Sequence, residues 1–316
     1  RNRHRNRRND VRIWWVMVAA RTRESAAARI ERRCGVLAPG IHLGVPFANY
    51  AADPGVNNGV LGALNGAHLL HLIAEGRKDT PTLRKGRALH IAVLEPARFA
   101  SAVVKRPNFG GKGARARAAA WNAEHAHREI LTPGEYADVM GMADGILRHD
   151  GARKALADAA GASEATLIWE EQGIRCKARV DRLIPGRLAL DVKTTADATP
   201  EEFAASAYSY GYHRQLAWYR RGVLACTGVD VPWTVIAVES EARGRDFNGV
   251  DVSHHLAAVY APLGDLLQLG ENDAVAGLAR IKAILASNNW RGFPGEVQPL
   301  DLPEWVRRAR RSELTN

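Results

Sequence analysis

Two short segments of this 316-residue sequence hold residue types that can do chemistry together. One ends in Asp181, and the other reads Asp191-Val192-Lys193. Pro185-Gly186 between them is a turn signal. If the flanking strands pair as a hairpin, two carboxylates and one ammonium converge at one sheet end. Asp191 and Lys193, two apart, share a strand face. Two carboxylates at one point repel, and each resists ionising alone. A bound divalent cation resolves that conflict, and oxygen ligands of this kind suit Mg²⁺ or Mn²⁺. Such an ion polarises a phosphate and activates water. Lys193 can orient that water or neutralise developing charge, and a second ion would stabilise the leaving oxygen. A bare Asp-x-Lys is also what an ordinary charged hairpin shows. Leu188, Leu190 and Val192, however, suggest a buried strand, where an Asp and a Lys need a reason.

The elements that must position these residues can be read from pattern. Residues 165–170 read as a strand and 171–173 as a turn. From Ile174 to Asp181 the alternation is strict, with Ile174, Cys176, Ala178 and Val180 on one face. Lys177 and Arg179 share the Asp181 face, where they meet phosphates or simply face solvent. Residues 188–193 and 232–239 are further strands. Thr199-Pro200-Glu201-Glu202 opens a helix, and another runs through Gln215 to Leu224. Upstream, helices are expected over 59–75, 83–94, 115–130 and 133–148, the last with Thr132 as N-cap and Glu135 at N3. A final helix is expected over 273–287. Lys105 to Arg117 holds Lys105, Arg106, Lys112, Arg115 and Arg117, three glycines and no acid, and reads as a mobile basic loop.

Composition narrows the class. Apolar residues make up 46% and charged residues 25%, which excludes a disordered chain, a collagen and a coiled coil. The longest apolar run, Ile13 to Ala20, is too short for a membrane span, so no membrane partner is expected. Three separated cysteines, Cys34, Cys176 and Cys226, argue against a disulfide framework or a zinc ribbon. The net charge of +10 is uneven: residues 1–33 hold eleven Arg against three acids, so the rest of the chain is nearly neutral. Residues 1–38 read as an Arg-rich extension, disordered or non-native, and 306–316 as a basic tail. No P-loop, H-E-x-x-H or G-x-S-x-G is present. His125 and His127 are too isolated for a metal site, and Trp121, Trp169, Trp218 and Trp233 read as core residues.

Longer segments then carry a resemblance. GIRCKARVDRLIPGRLALDVKTTADATPEEF followed by YSYGYHRQLAWY resembles the PDDEXK nuclease superfamily, specifically its exodeoxyribonuclease VIII (RecE-type) branch, close to the RecB-like nucleases. KGRALHIAVLEPARF, PGVNNGVLGALNGAHL and NNWRGFPGEVQPLDLPEW extend the resemblance over roughly 39–305. It implies an α/β restriction-endonuclease-like fold, a central mixed sheet flanked by helices. The division would be a helical part at 39–163, a catalytic core at 164–240 and C-terminal helices at 250–305. By resemblance, Asp181 and Asp191 are the metal-binding carboxylates, Lys193 the catalytic lysine, and the Val192 carbonyl and His90 further metal ligands. Gln215 and Tyr219 match a QxxxY motif; four apart, they share a helix face. Glu164 is read as the upstream acidic residue, with Glu170 and Glu171 as competitors. Thr194, Lys177, Arg179, Lys105, Arg106 and Lys112 are the candidate nucleic-acid contacts.

The implied activity is a Mg²⁺-dependent exonuclease using two ions, with Mn²⁺ as a substitute. It would degrade linear duplex DNA 5′→3′ and leave 3′ single strands. The implied partners are double-stranded DNA ends, further copies in a ring such as a tetramer, and a single-strand annealing recombinase. The setting would be the cytoplasm of a bacterial or phage-infected cell. A RecB-like structure-specific or single-strand endonuclease is the rival enzyme reading, because one core supports both actions. A non-catalytic DNA-binding or assembly protein is the third. An intact Asp181, Asp191 and Lys193 set argues against that one.

Overall fold

A computed structural model describes residues 36–75, 79–242, 254–292, 295–297 and 299–300. The expected extension before residue 36 and the tail at 306–316 lie outside the described residues. The elements are β1 (Gly40–His42), α1 (Phe47–Ala52), α2 (Asn58–Leu61), α3 (Gly66–Glu75), α4 (Pro81–Leu94), α5 (Pro96–Ala102), β2 (Val103–Lys105), α6 (Ala114–Glu124), β3 (Glu129–Leu131), α7 (Pro133–Arg148), α8 (Asp150–Ala157), β4 (Ala162–Glu171), β5 (Ile174–Ile184), β6 (Leu188–Thr195), α9 (Pro200–Ser209), α10 (Tyr212–Thr227), β7 (Trp233–Glu239), β8 (Ala257–Tyr260) and α11 (Gly264–Ser287).

Six strands form one mixed sheet in the order β1-β4-β5-β6-β7-β8. β4, β5 and β6 are successive antiparallel neighbours, and β6 pairs with β7 in parallel. A parallel pair needs a long crossover, and α9 with α10 supplies it. Each face of the sheet is covered. Leu61, Leu69, Leu216, Trp218, Leu278 and Ile281 pack one face against Leu167, Ala178, Val180 and Ala189. Leu89, Val139, Met142 and Ile146 pack the other against Leu190, Val192, Ile236 and Val238. β6 is therefore buried on both faces, as a strand inside a covered sheet should be. Among the described residues, no helix is long and apolar enough to cross a membrane.

The local signals explain most of these boundaries. α7 begins at Thr132, whose hydroxyl accepts from Glu135 N at 3.2 Å, while Glu135 Oε2 accepts from Thr132 N at 2.7 Å. α4 starts with Thr80 as N-cap and Pro81 in its first turn. Three expectations change. The helix expected over 59–75 breaks into α2 and α3, because Gly66 passes against Asn289 and Trp290: a Cβ there would lie 2.1 Å from Asn289 O. The helix expected over 115–130 stops at Glu124, and Glu129–Leu131 pairs in parallel with Val103–Lys105. The last helix starts at Gly264, well before residue 273. Trp169, Trp218 and Trp233 are buried, but Trp121 is half-buried and stacks on His125 at 3.9 Å outside both cores.

Candidate active site

The β5–β6 hairpin forms, and it opens at a decisive place. Its ladder runs Ile184↔Leu188, Leu183↔Ala189 and Arg182↔Leu190. Beyond Leu190, β6 continues along β7 as far as Thr195↔Glu239. The Val192 peptide thus faces side chains where β5 would have continued. Asp181 Oδ2 accepts from Val192 N at 2.7 Å. The Val192 carbonyl lies 3.1 Å from His90 Nε2, which donates to it when that nitrogen carries the proton. The backbone of one residue therefore links β5, β6 and α4.

A matching distortion sits on the other side of β5. The β4–β5 register runs through Ser163↔Arg182 and Ala165↔Val180, which sets Glu164 opposite Asp181. Glu164 has φ 54°, left-handed backbone that a glutamate inside a strand rarely adopts. Val180 and Leu183 both face the same core, so the face alternation of β5 slips at this point too. The result is two carboxylates facing one another beside an imidazole. His90 Nδ1 lies 3.6 Å from Asp181 Oδ1 and 3.8 Å from Glu164 Oε1. Ligand atoms of His90, Glu164 and Asp181 all lie within 4.8 Å of one another.

Asp191 and Lys193 form the second half. Asp191 is 1% exposed and paired with the Lys193 ammonium. The ammonium of Lys193 sits against Asp191 Oδ2, so the carboxylate is paired inside the fold. Gln215 Nε2 lies 3.5 Å from Asp191 Oδ1 and 2.8 Å from Tyr219 Oη. The i,i+4 pair on α10 thus shares a face and reaches the site. Thr194, one residue on, is half-buried and pairs with Val238.

The electrostatics follow from crowding. Burial pushes Asp181 up to about 7; Asp191 and Glu164 add to that rise, while His90 and Lys193 oppose it. Burial disfavours the charged form of His90, but Asp181 and Glu164 outweigh it and raise His90 to about 9. Burial likewise opposes the Lys193 charge, and Asp191 with Asp181 outweighs it, so Lys193 is raised. Three carboxylates thus share one buried place. The donor set, two facing carboxylates, one imidazole and an adjacent carbonyl, fits a divalent cation of the Mg²⁺ or Mn²⁺ kind. His90, Glu164, Asp181 and the Val192 carbonyl are the residues that would hold it. Of the expected ligand set His90, Asp181, Asp191 and Val192, Asp191 stands beside Asp181, and Glu164 is added to the group.

Of the three candidate upstream acids, Glu164 stands at the site. Glu170 is exposed, and Glu171 pairs with Arg221. Two expected phosphate contacts are corrected. Lys177 is 4% exposed, and its ammonium donates to the carbonyls of Tyr50, Ala51 and Asp53. Arg179 pairs with Glu164 and donates to Val45 O at 2.8 Å. Both side chains are consumed inside the fold, because the chain after β1 folds over that face of β5. Lys105 and Lys112 are exposed. Arg106 lines a cavity of about 390 Å³ with Arg84, Arg87 and Arg128, balanced by Asp79, Glu129 and Glu135. None of these three basic residues hydrogen-bonds to the site.

Sequence reasoning passed over Tyr50 and Tyr212. Tyr50 lies under Lys177 Nζ, 4.8 Å from its ring centroid, and Arg179 stands 5.8 Å away. Tyr212 lies under Lys193 Nζ at 5.0 Å. No local signal marks Tyr50, which sits far from β5 in sequence. Tyr212 stands three residues before Gln215, in the aromatic run that opens α10.

Comparison with known proteins fits this geometry. A family model described as a PDDEXK-like domain of unknown function, DUF3799, matches residues 63–254. The chain belongs to this PDDEXK-like family. The match spans α4, the whole of β4–β6, and α10, and so includes every residue of the site just described except Tyr50. PDDEXK proteins are typically divalent-metal nucleases, and membership supports a nuclease here. Among solved structures, a candidate exonuclease from Eubacterium rectale aligns at 14% identity and TM-score 0.49, covering 78% of this chain and 86% of its own. LHK-Exo in complex with dAMP aligns at 14% identity and TM-score 0.23, covering 74% of this chain and all of its own. No curated protein is significantly similar to the chain.

Proposed function

We propose that this PDDEXK-like protein is a divalent-metal-dependent deoxyribonuclease that digests linear duplex DNA from its ends. The observation that carries the reading is the single cluster in which Glu164, Asp181 and His90 meet beside the Asp191–Lys193 pair. Bound there, Mg²⁺ or Mn²⁺, as one ion or two, would supply charge for a phosphate and a water of lowered pKa. The protein's own groups do the rest. Asp191 fixes the Lys193 ammonium at the site, where it meets a non-bridging phosphate oxygen or orients the attacking water. Gln215, held by Tyr219, steadies Asp191. His90 spans Val192 O and the two carboxylates, and so keeps the ligand atoms in place.

The resemblance to the exodeoxyribonuclease VIII branch supports the finer reading: 5′→3′ polarity, a 3′ single strand passed to an annealing recombinase, a ring of copies around the DNA, and a bacterial or phage cytoplasm. The test is digestion of linear duplex, circular duplex and single-stranded DNA, with Mg²⁺ and with EDTA, beside Asp191→Ala. Mg²⁺-dependent loss of linear duplex alone, absent in the variant, is the expected result. Cutting of circles would replace it with an endonuclease of the RecB-like kind. Retention of DNA in EDTA with no cutting of any substrate would leave a binding role.

A further inference from the structure

The corner between α9 and α10 carries two large rings that neither core uses. Tyr208 and Tyr210 are 67% and 70% exposed. They are not scattered surface residues, which would need no explanation. Tyr210 stacks on Tyr212, with centroids 5.8 Å apart, and Tyr208 stacks on His213 at 5.6 Å. Tyr212 in turn lies under the Lys193 ammonium. A row of rings therefore leads from solvent to the cation beside Asp191. Gly211, at φ 71°, makes the turn that places these rings on both sides of the corner.

At the same corner His213 is paired with Asp273 at 3.0 Å, whereas Arg214 has no such partner among the described residues. Arg214 is half-buried and donates from Nε to Asn58 Oδ1 at 3.1 Å. Its guanidinium passes close to two glycines: a Cβ on Gly211 or Gly62 would lie 3.3 or 3.4 Å from Nη2. An arginine fork without a carboxylate partner, beside exposed rings, is what a strand of nucleic acid needs. Rings stack bases of any sequence, and the guanidinium meets a phosphate.

We infer that Tyr208 and Tyr210 form a base-stacking step for the strand entering the site, with Arg214 meeting a phosphate of that strand. The inference rests on the nuclease reading and narrows its substrate. Only unpaired bases can stack on a side chain, so the step engages single-stranded DNA or the frayed end of a duplex, not intact duplex.

The test uses the full chain and a linear duplex whose short unpaired end carries 2-aminopurine. Binding is read in EDTA by quenching of that base, and cleavage is read with Mg²⁺. Wild-type protein should quench. Tyr210→Leu should weaken binding and raise KM about tenfold, the low end for one stacked base, with kcat unchanged. Tyr210→Phe, which keeps the ring, should restore both. Tyr208→Leu with Tyr210→Leu should lose more, and Arg214→Gln should flatten the salt dependence by about one ion. Unchanged quenching and KM in the double variant would overturn the proposal while leaving the nuclease reading intact. So would a change of oligomeric state with KM unchanged, which would assign the rings to a subunit interface. Quenching that Tyr210→Leu weakens and Tyr210→Phe restores, in a protein that cuts no DNA, would keep the stacking step and remove the nuclease reading.

Discussion

Two groups of buried charge lie four residues apart on β5, and they are built on opposite terms. Around Lys177, every polar group is answered. Its ammonium meets three carbonyls and the Tyr50 ring, and Asp53 accepts from Arg175 and from Gly55 N. Around Asp181, the demands conflict. Glu164 faces Asp181 in left-handed backbone, the strand pair opens, and Asp191 adds a third carboxylate charge beside them. A fold that surrounds one buried lysine with three carbonyls and a ring can bury a charge away from any site, although burial still lowers its pKa. The conflict at Asp181 is local, and its residues are those a cation and a phosphate would reconcile. Satisfied burial marks structure, and unsatisfied burial marks chemistry.

The sharpest way to break this comparison is to remove one charge from each group. Asp191→Ala should lower DNA cleavage by about three orders of magnitude or more, as expected when a group acting on a developing charge is lost. Its melting temperature should change little, because Asp181 loses a like charge while the buried Lys193 ammonium loses its pair. Lys193→Ala should match it in activity. Normal turnover by either variant would end the assignment of this pair. Lys177→Met should do the reverse. Three carbonyls lose their donor, and stability should fall by about 3 kcal/mol in urea unfolding. Cleavage per folded molecule should stay within about twofold.

The same lysine gives a pH test. Burial depresses Lys177 to about 8 from the usual 10.5. Between those values the unfolded chain binds the proton and the folded chain has released it, so stability rises with pH through that window. Below it, both states are charged and the folded one bears the full cost of burial. Lys177→Met should flatten this rise in unfolding measured from pH 7.5 to 10.5. A slope equal to that of wild type would mean that the carbonyl cage holds the charge without cost.

A smaller effect should come from the ligand cluster. If His90, Glu164 and Asp181 hold a divalent cation, Mn²⁺ or Mg²⁺ at one hundred times its dissociation constant adds about 2.7 kcal/mol. Thermal unfolding should show it, and Glu164→Gln should remove most of it. Lys177→Met, although less stable, should gain as much as wild type.

How much of this could be read beforehand follows from range. The β5–β6 hairpin was legible, because alternation, Pro185-Gly186 and the Asp191-Val192-Lys193 segment are local. α7 was legible to the residue, since Thr132, Pro133 and Glu135 write its start. The convergence of Asp181, Asp191 and Lys193 followed from those, with the fold class, His90, Gln215 and Tyr219 supplied by resemblance. What stayed hidden depends on distant partners. Nothing near Lys177 announces that residues 50–53 will close over it, so a lysine on an alternating strand looked solvated. Arg179 failed for the same reason. Residues 62–65 looked helical, because the approach of Asn289 to Gly66 at the start of α3 leaves no local trace.

The smallest effect separates two lysines that composition treats alike. Lys112 is exposed within 105–117, on the loop between β2 and α6, and makes no ion pair among the described residues; Lys177 is buried on β5. A solvated cation contributes to nucleic-acid binding by releasing counterions and hardly at all to folding. Lys112→Ala should therefore leave unfolding within about 0.5 kcal/mol of wild type. If the loop tracks DNA, the variant should weaken binding in EDTA a few-fold at low salt and reduce the slope of log affinity against log salt by about one. Lys177→Met should leave that slope alone while costing stability. A Lys112→Ala variant with an unchanged slope would move the DNA path off the 105–117 loop and leave the α9–α10 corner as the basic surface beside the site.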